Sequence, residues 1–333
     1  MHQADGQWQW VFLTLVTGFL AQIIRKGEWA NFFEVAPLYW NGLKRAGFGS
    51  PVNRFALWSA IVLLVCTLLH WRLWAGPGGK IPHGMRVISW GFMCTVSAMG
   101  VVFAQSRAAW LASTIVFPPI FFNRFCKTRR HRFRTMVLLA VVATSLAGLT
   151  NLPAIFSQRV LADIEAYKEV AGETFERGPN AVSNNIEAVY ERFLLYQFFL
   201  EKWRVRPALG YGPGGSEILL NRATGQYAKL SRYDHVHNIV LDIMLRFGFI
   251  GCVIYAGGFF IVVRQLIRGK RQGEVELDYY YIAAGGLWLI VICAMFAQPL
   301  NTTKGLYAVG LLGGTCYASQ FKRLRDASNP DVR

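Results

Sequence analysis

Long apolar runs separated by short polar stretches dominate the chain. A membrane-crossing helix needs about 20 mostly apolar residues, because each advances about 1.5 Å and the hydrocarbon core is about 30 Å thick. Eight stretches meet or approach that length: 9–24, 55–73, 87–105, 108–123, 136–152, 238–265, 279–298 and 303–320. Pro118-Pro119 in the fourth predicts a kinked or shortened helix, since proline lacks a backbone donor and crowds the preceding turn. Gly248 and Gly251 break the sixth, which predicts a short tilted helix followed by a full span. The expected fold class is all-α, a polytopic integral membrane protein of about eight transmembrane helices with a helical domain outside the membrane.

The longest polar segment, 152–236, holds 10 of the 19 acidic residues and no cysteine. Asp163, Glu165, Lys168, Glu169, Glu173 and Glu176 decorate one expected helix. Apolar Ile186, Val189, Phe193, Tyr196 and Leu200 recur at helical spacing in a second, from about Asn185 to Trp203. Gly210-Tyr211-Gly212-Pro213-Gly214-Gly215 forces a turn. Segment 29–45, with Trp29, Phe32, Phe33, Tyr39 and Trp40 followed by Lys44 and Arg45, reads as an interfacial helix. The organisation is therefore 1–151 (five membrane helices with the outer segment 27–53), 152–236 (an outer helical loop), 237–321 (three membrane helices) and 322–333 (a tail). No internal repeat stands out.

Charge orients this layout. Hydrophobic residues make up 53% and charged residues 16%, against about 25% charged in soluble domains. The formal charge of +16 would suggest nucleic acid in a soluble protein; here it reads as cytoplasmic loops held by positive charge, and no nucleic-acid partner is expected. Arg124, Lys127, Arg129, Arg130, Arg132 and Arg134 follow the fourth span, Arg264, Arg268, Lys270 and Arg271 the sixth, and Lys322, Arg323 and Arg325 the eighth. All fall on one side if the spans alternate, which places both termini in the cytoplasm and 152–236 outside. The six cysteines show no CxxC or zinc spacing and imply no disulfide framework. No cleavable signal is expected.

Several residues on the outer side could carry chemistry. Arg107, in the tight turn Gln105-Ser106-Arg107, is either a helix-end arginine reaching headgroups or a functional charge near membrane depth. Arg192 is either a solvated charge, paired with Glu191 or a helical neighbour, or an anion ligand. His235 and His237 could serve as general bases oriented by Asn238 or Asp234, as a metal pair, or as a polar helix start capped by Asn or Asp. The glycine run is either a turn or a set of amides offered to phosphate. Asn301-Thr302-Thr303 matches a glycosylation sequon, but so short an outer turn is a poor acceptor. Two arginines with planar donor forks and a base together suit a pyrophosphate donor and a hydroxyl acceptor.

These residues carry a resemblance. Ser106-Arg107-Ala108-Ala109-Trp110, then Arg192…Trp203…Pro207…Gly210-Tyr211-Gly212, then His237-Asn238-Ile239-Val240-Leu241 with Gly248 and Gly251, resemble in order the motifs of the bacterial O-antigen ligase and O-antigen polymerase superfamily, polytopic glycosyltransferases with a GT-C-like arrangement. The likeness covers about 50–320. Three spans precede Ser106 where relatives usually have several more, which reads as a minimal or N-terminally shortened member. The resemblance implies an inner-membrane enzyme with a periplasmic active face. A glycan passes from undecaprenyl pyrophosphate to a hydroxyl of lipid A–core, without metal or other cofactor. By carry-over Arg107 and Arg192 bind the pyrophosphate, and His237 activates the acceptor or assists the leaving group. Ser106, Trp110, Gly210, Tyr211, Gly212, His235 and Asn238 are the expected substrate-binding residues around them, and Arg107, Arg192 and His237 should converge on one outer cavity.

A polymerase or a protein O-oligosaccharyltransferase would use the same donor. A lipid-linked glycan transporter would instead show repeated halves, and a structural subunit would be indifferent to substitution of Arg107 or His237. Arg25, Lys26, Lys44, Arg45 and Arg54 run against the positive-inside tendency, and are expected to attract lipid phosphates.

Overall fold

The computed structural model describes residues 16–27, 34, 37–38, 51–73, 83–125, 161, 164, 184–233, 235–273, 275–296 and 310. Within them all regular structure is helical: α1 (Val52–Leu73), α2 (His83–Phe103), α3 (Arg107–Phe125), α4 (Asn184–Val205), α5 (Gly215–Asn221), a 3-10 helix (Gly225–Arg232), α6 (Ile239–Arg271) and α7 (Leu277–Phe296). Residues 16–26 are helical too. Among the described residues three helices, α1, α6 and α7, are long and apolar enough to cross a membrane, and α2 carries a shorter apolar stretch, Ile88–Phe103. The described residues are all-helical in their regular structure and carry spans consistent with a membrane protein. The expected spans at 136–152 and, apart from residue 310, 303–320, the interfacial segment 29–45 apart from three residues, and most of the acidic stretch 163–176 lie outside the described residues.

The chain divides into two units, 1–151 with 262–293 and 299–333, and 152–261 with 294–298. In the first, α1 lies buried and packs on α2 and α3. Glycines permit the close approaches. A methyl at Gly100 would sit 2.5 Å from Ser59 Oγ, and one at Gly285 of α7 would sit 2.7 Å from side chains of Leu64 and Ile120. The Trp90 indole donates to the Cys66 carbonyl at 2.8 Å, tying α2 to α1. Buried Ser59 and Thr67 donate to carbonyls one turn back, at 2.8 and 2.6 Å, so neither hydroxyl is left unpaired in an apolar setting. Outward, Met85, Ile88 and Phe92 of α2 and Leu111, Ile115 and Phe122 of α3 are exposed, as hydrocarbon contact requires. Pro118 and Pro119 lie inside α3, which continues through them to Phe125.

The second unit has its own core. Leu194, Leu195, Phe198 and Phe199 of α4 meet Leu220, Tyr227, Leu230, Val236 and Leu245. This corrects the expected α4 face: Phe193 and Leu200 point outward, and the buried positions are Glu191, Leu194, Leu195, Phe198 and Phe199. Polar and apolar residues are spread around the whole circumference of α4, so periodicity alone cannot choose its inner face. The choice falls to the partners supplied from residues 220–245.

Helix α6 breaks once, at Gly248 (φ 64°, ψ −163°). The expected short helix followed by a span is present, with the break at Gly248 and not at Gly251. The break frees backbone groups that residues 207–212 then satisfy. Tyr211 and Gly212 N–H donate to the Leu245 and Arg246 carbonyls at 2.9 and 2.7 Å, and Phe249 and Ile250 N–H donate to Pro207 and Ala208 at 2.8 and 3.2 Å. Only glycine fits at either centre of this clasp. A Cβ on Gly210 (φ 66°) would lie 2.4 Å from the Leu245 oxygen, and one on Gly248 would lie 2.1 Å from the Ala208 oxygen.

Candidate functional site

The α2–α3 turn presents Arg107. Gln105 adopts φ 49°, a left-handed conformation uncommon for a residue with a Cβ. That twist reverses the chain and leaves Ser106 as the cap of α3: its Oγ accepts from Ala109 N–H at 3.4 Å, and its carbonyl accepts from Trp110 N–H at 2.9 Å. The Trp110 indole donates to the Val101 carbonyl at 3.0 Å, so the first turn of α3 is tied to the last turn of α2. Ser106 and Trp110 are thus engaged in the turn itself, while Arg107 is exposed at the first position of α3. A cation there faces the positive end of the helix dipole, an arrangement that an anion bound beside it would relieve.

The start of α6 repeats the device in the second unit. His237 adopts φ 58°, and Asn238 Oδ1 caps α6 by accepting from Val240 and Leu241 N–H at 3.0 and 3.2 Å. The Asn238 side chain therefore takes the capping role that its sequence position allowed. The His235 and His237 rings lie 4.3 Å apart, tilted by 53°. Asp234 lies outside the described residues, among which no group of three or more His, Cys, Asp or Glu side chains could hold a metal.

What holds His237 is anchored at Glu191, 46 residues earlier in sequence. The Tyr233 ring stands edge-on to the His237 ring, centroids 5.4 Å apart at 86°. The Tyr233 hydroxyl donates to Glu191 Oε2 at 2.6 Å. The Arg232 guanidinium donates to the same oxygen and lies over the Tyr233 ring. Glu191 is 2% exposed, and this arginine and phenol stabilise its carboxylate. The contact with Glu191 raises the Arg232 pKa above its usual range. Burial, and then the bond to Glu191, push the Tyr233 hydroxyl up. Glu191 Oε1 is buried and has no hydrogen-bond partner among the described residues, and the same holds for the Trp203 indole nitrogen. An acceptor and a donor thus stay open in this unit.

Glu191, Arg232 and Tyr233 were not expected as site residues. Glu191 pairs with Arg232, not with its neighbour Arg192, whose side chain is exposed on the outer face of α4. The available signal was an acid placed among apolar residues on a helix, since such an acid needs a counterion somewhere in the fold. A second unexpected network lies one turn into α6. Buried Ser216 donates to Asp242 Oδ1 at 2.6 Å, and Arg246 Nε lies 2.9 Å from Asp242 Oδ2 and 3.2 Å from Ser216 Oγ.

The glycine turn proves to be a packing element. The amides of Gly210, Tyr211, Gly212 and Gly215 donate to Arg206, Leu245, Arg246 and Gly212 carbonyls, so those four are spent within the chain. The Tyr211 hydroxyl donates to the Lys202 carbonyl at 2.9 Å. The structure thus gathers His235, His237, Tyr233 and Glu191 into one cluster of the second unit, with Arg192 adjacent in sequence on α4. Arg107, Ser106 and Trp110 form their own turn in the first.

Comparison with known proteins agrees with this reading of the motifs. The O-antigen ligase family model matches residues 92–256, a stretch that contains both helix starts, α4 and the glycine turn. No curated protein matches the chain. That match covers the motif-bearing region and supports the chain's likeness to the O-antigen ligase and O-antigen polymerase superfamily.

Proposed function

We propose that the protein is an O-antigen ligase-type glycosyltransferase that moves a glycan from undecaprenyl pyrophosphate to a hydroxyl of lipid A–core, on the periplasmic face of the inner membrane. The observation that carries this reading is His237. It holds a left-handed backbone that costs about 1–3 kcal/mol, directly before the cap of a membrane helix, with its ring against Tyr233, whose hydroxyl is bonded to buried Glu191. Strain kept at a titratable side chain fits a group whose aim matters more than its stability.

In this mechanism the acceptor oxygen attacks the anomeric carbon, and His237 takes the hydroxyl proton. The bond from that carbon to the pyrophosphate oxygen breaks, and the electron pair leaves with the pyrophosphate. Arg107 and Arg192 stabilise the charge that develops there. Tyr233, held by Glu191, keeps the imidazole in place.

The test is complementation of a strain lacking its own O-antigen ligase. Ladder-like lipopolysaccharide from the intact chain, lost in His237→Ala and Arg107→Ala at equal membrane levels, is the expected outcome. Glycan that lengthens on its lipid carrier without joining lipid A–core would replace the ligase reading with a polymerase.

A further inference from the structure

We propose that the corner 204–209 of the second unit is a membrane anchor. Val205 and Leu209 lie among the acyl chains, and Arg204 and Arg206 sit on the phosphates of anionic phospholipid. The inference does not depend on the transferase reading.

The depth of this corner follows from α6. Beyond the break at Gly248 the helix runs to Arg271, and no charged residue occurs from Phe247 to Val263. That stretch with its flanks is long enough to span hydrocarbon. Its first two turns are already lipid-facing in character, with Phe249 64% and Ile254 67% exposed. The backbone of Pro207 and Ala208 is hydrogen-bonded to Phe249 and Ile250, so the corner lies level with the start of the span. In hydrocarbon an irregular segment survives only where its polar groups are satisfied, and this clasp satisfies both sides.

The side chains fit that depth. Val205 is 70% and Leu209 71% exposed, a surface that water disfavours. Arg204 and Arg206 flank Val205, and both are exposed. Arg206 lies over the Tyr211 ring, 5.1 Å from its centroid. The nearest acid in sequence, Glu201, is taken by the Tyr227 hydroxyl at 2.7 Å. Among the described residues neither arginine has an ion-pair partner. Unpaired guanidinium groups beside an apolar tip match the two layers of an interface, phosphates above and acyl chains below.

The test uses the full chain in nanodiscs of phosphatidylethanolamine with a minority of phosphatidylglycerol. A p-benzoylphenylalanine replacing Val205 or Leu209 should crosslink to lipid, and one replacing exposed Gln226 should not. Native mass spectrometry should show phosphatidylglycerol retained over phosphatidylethanolamine. That preference should fall about fivefold or more in the double variant Arg204→Gln/Arg206→Gln and persist in Arg204→Lys/Arg206→Lys. The lysine pair separates lost charge from a disturbed Tyr211 contact. Crosslinks from both tip positions to protein alone, as a second copy or another subunit on this corner would give, would overturn the proposal. So would an unchanged preference in the glutamine variant.

Discussion

The α2–α3 turn and the start of α6 solve one problem in two ways. Each places a candidate residue beside a left-handed non-glycine, Gln105 or His237 itself, and opens a helix on a side-chain cap. Arg107 is presented by a turn that a bond nine residues long, Trp110 to Val101, ties together. His237 is braced through Tyr233 by a carboxylate 46 positions earlier, on another helix, and α6 itself is clasped by residues 207–212. A local device survives damage elsewhere in its unit; a long-range one fails with any partner.

The sharpest way to break the comparison is to strike the long-range side. Gly248→Ala puts a methyl 2.1 Å from a backbone oxygen at φ 64°, and should destabilise the second unit by about 3 kcal/mol or more. Thermal unfolding in detergent should show a large loss or no recoverable protein. Gly257→Ala, with open space around it, should be silent; equal loss in both would refute the clasp.

Next in size is the brace. Glu191→Ala removes the acceptor for both Arg232 and Tyr233, and should cost about 1–3 kcal/mol, with lipopolysaccharide ladder formation falling alongside. Tyr233→Phe keeps the ring beside His237 and cuts only the bond to Glu191. It should retain more ladder than Tyr233→Leu, and the reverse order would show that the ring does not position His237.

On the local side Ser106→Ala should cost about 1 kcal/mol as a lost cap, and Trp110→Phe about as much for the lost indole bond. Both variants should keep a measurable fraction of activity, whereas Arg107→Ala should lose it. Complete loss in Ser106→Ala would mean that the hydroxyl does more than cap.

The smallest effect is in pH. Folding raises the Tyr233 pKa, so above about pH 10, its ordinary value, the unfolded chain releases that proton before the folded one does. Stability from this residue is complete below about pH 10 and declines as pH rises past it. Tyr233→Phe should flatten the alkaline limb of a stability profile, and an unchanged limb would show that Tyr233 does not contribute to it.

Much of this was legible in the residues. Apolar runs announced α1, α6 and α7, the glycines announced a broken α6, and the ordered motifs announced the superfamily, because span length, backbone freedom and motif spacing are local properties. The α4 face was misread and Glu191 was missed as a partner of the site. An amphipathic period cannot rank the sides of a helix whose polar and apolar residues are mixed all round, and a buried acid is tolerable only if partners for its charge arrive from elsewhere. The sequence alone therefore determined a membrane helix protein with Arg107 at one helix start and His237 at another. Only the tertiary structure decided that Tyr233 and Glu191 brace His237 and that residues 207–212 close on Gly248, since both depend on contacts that no spacing along the chain encodes.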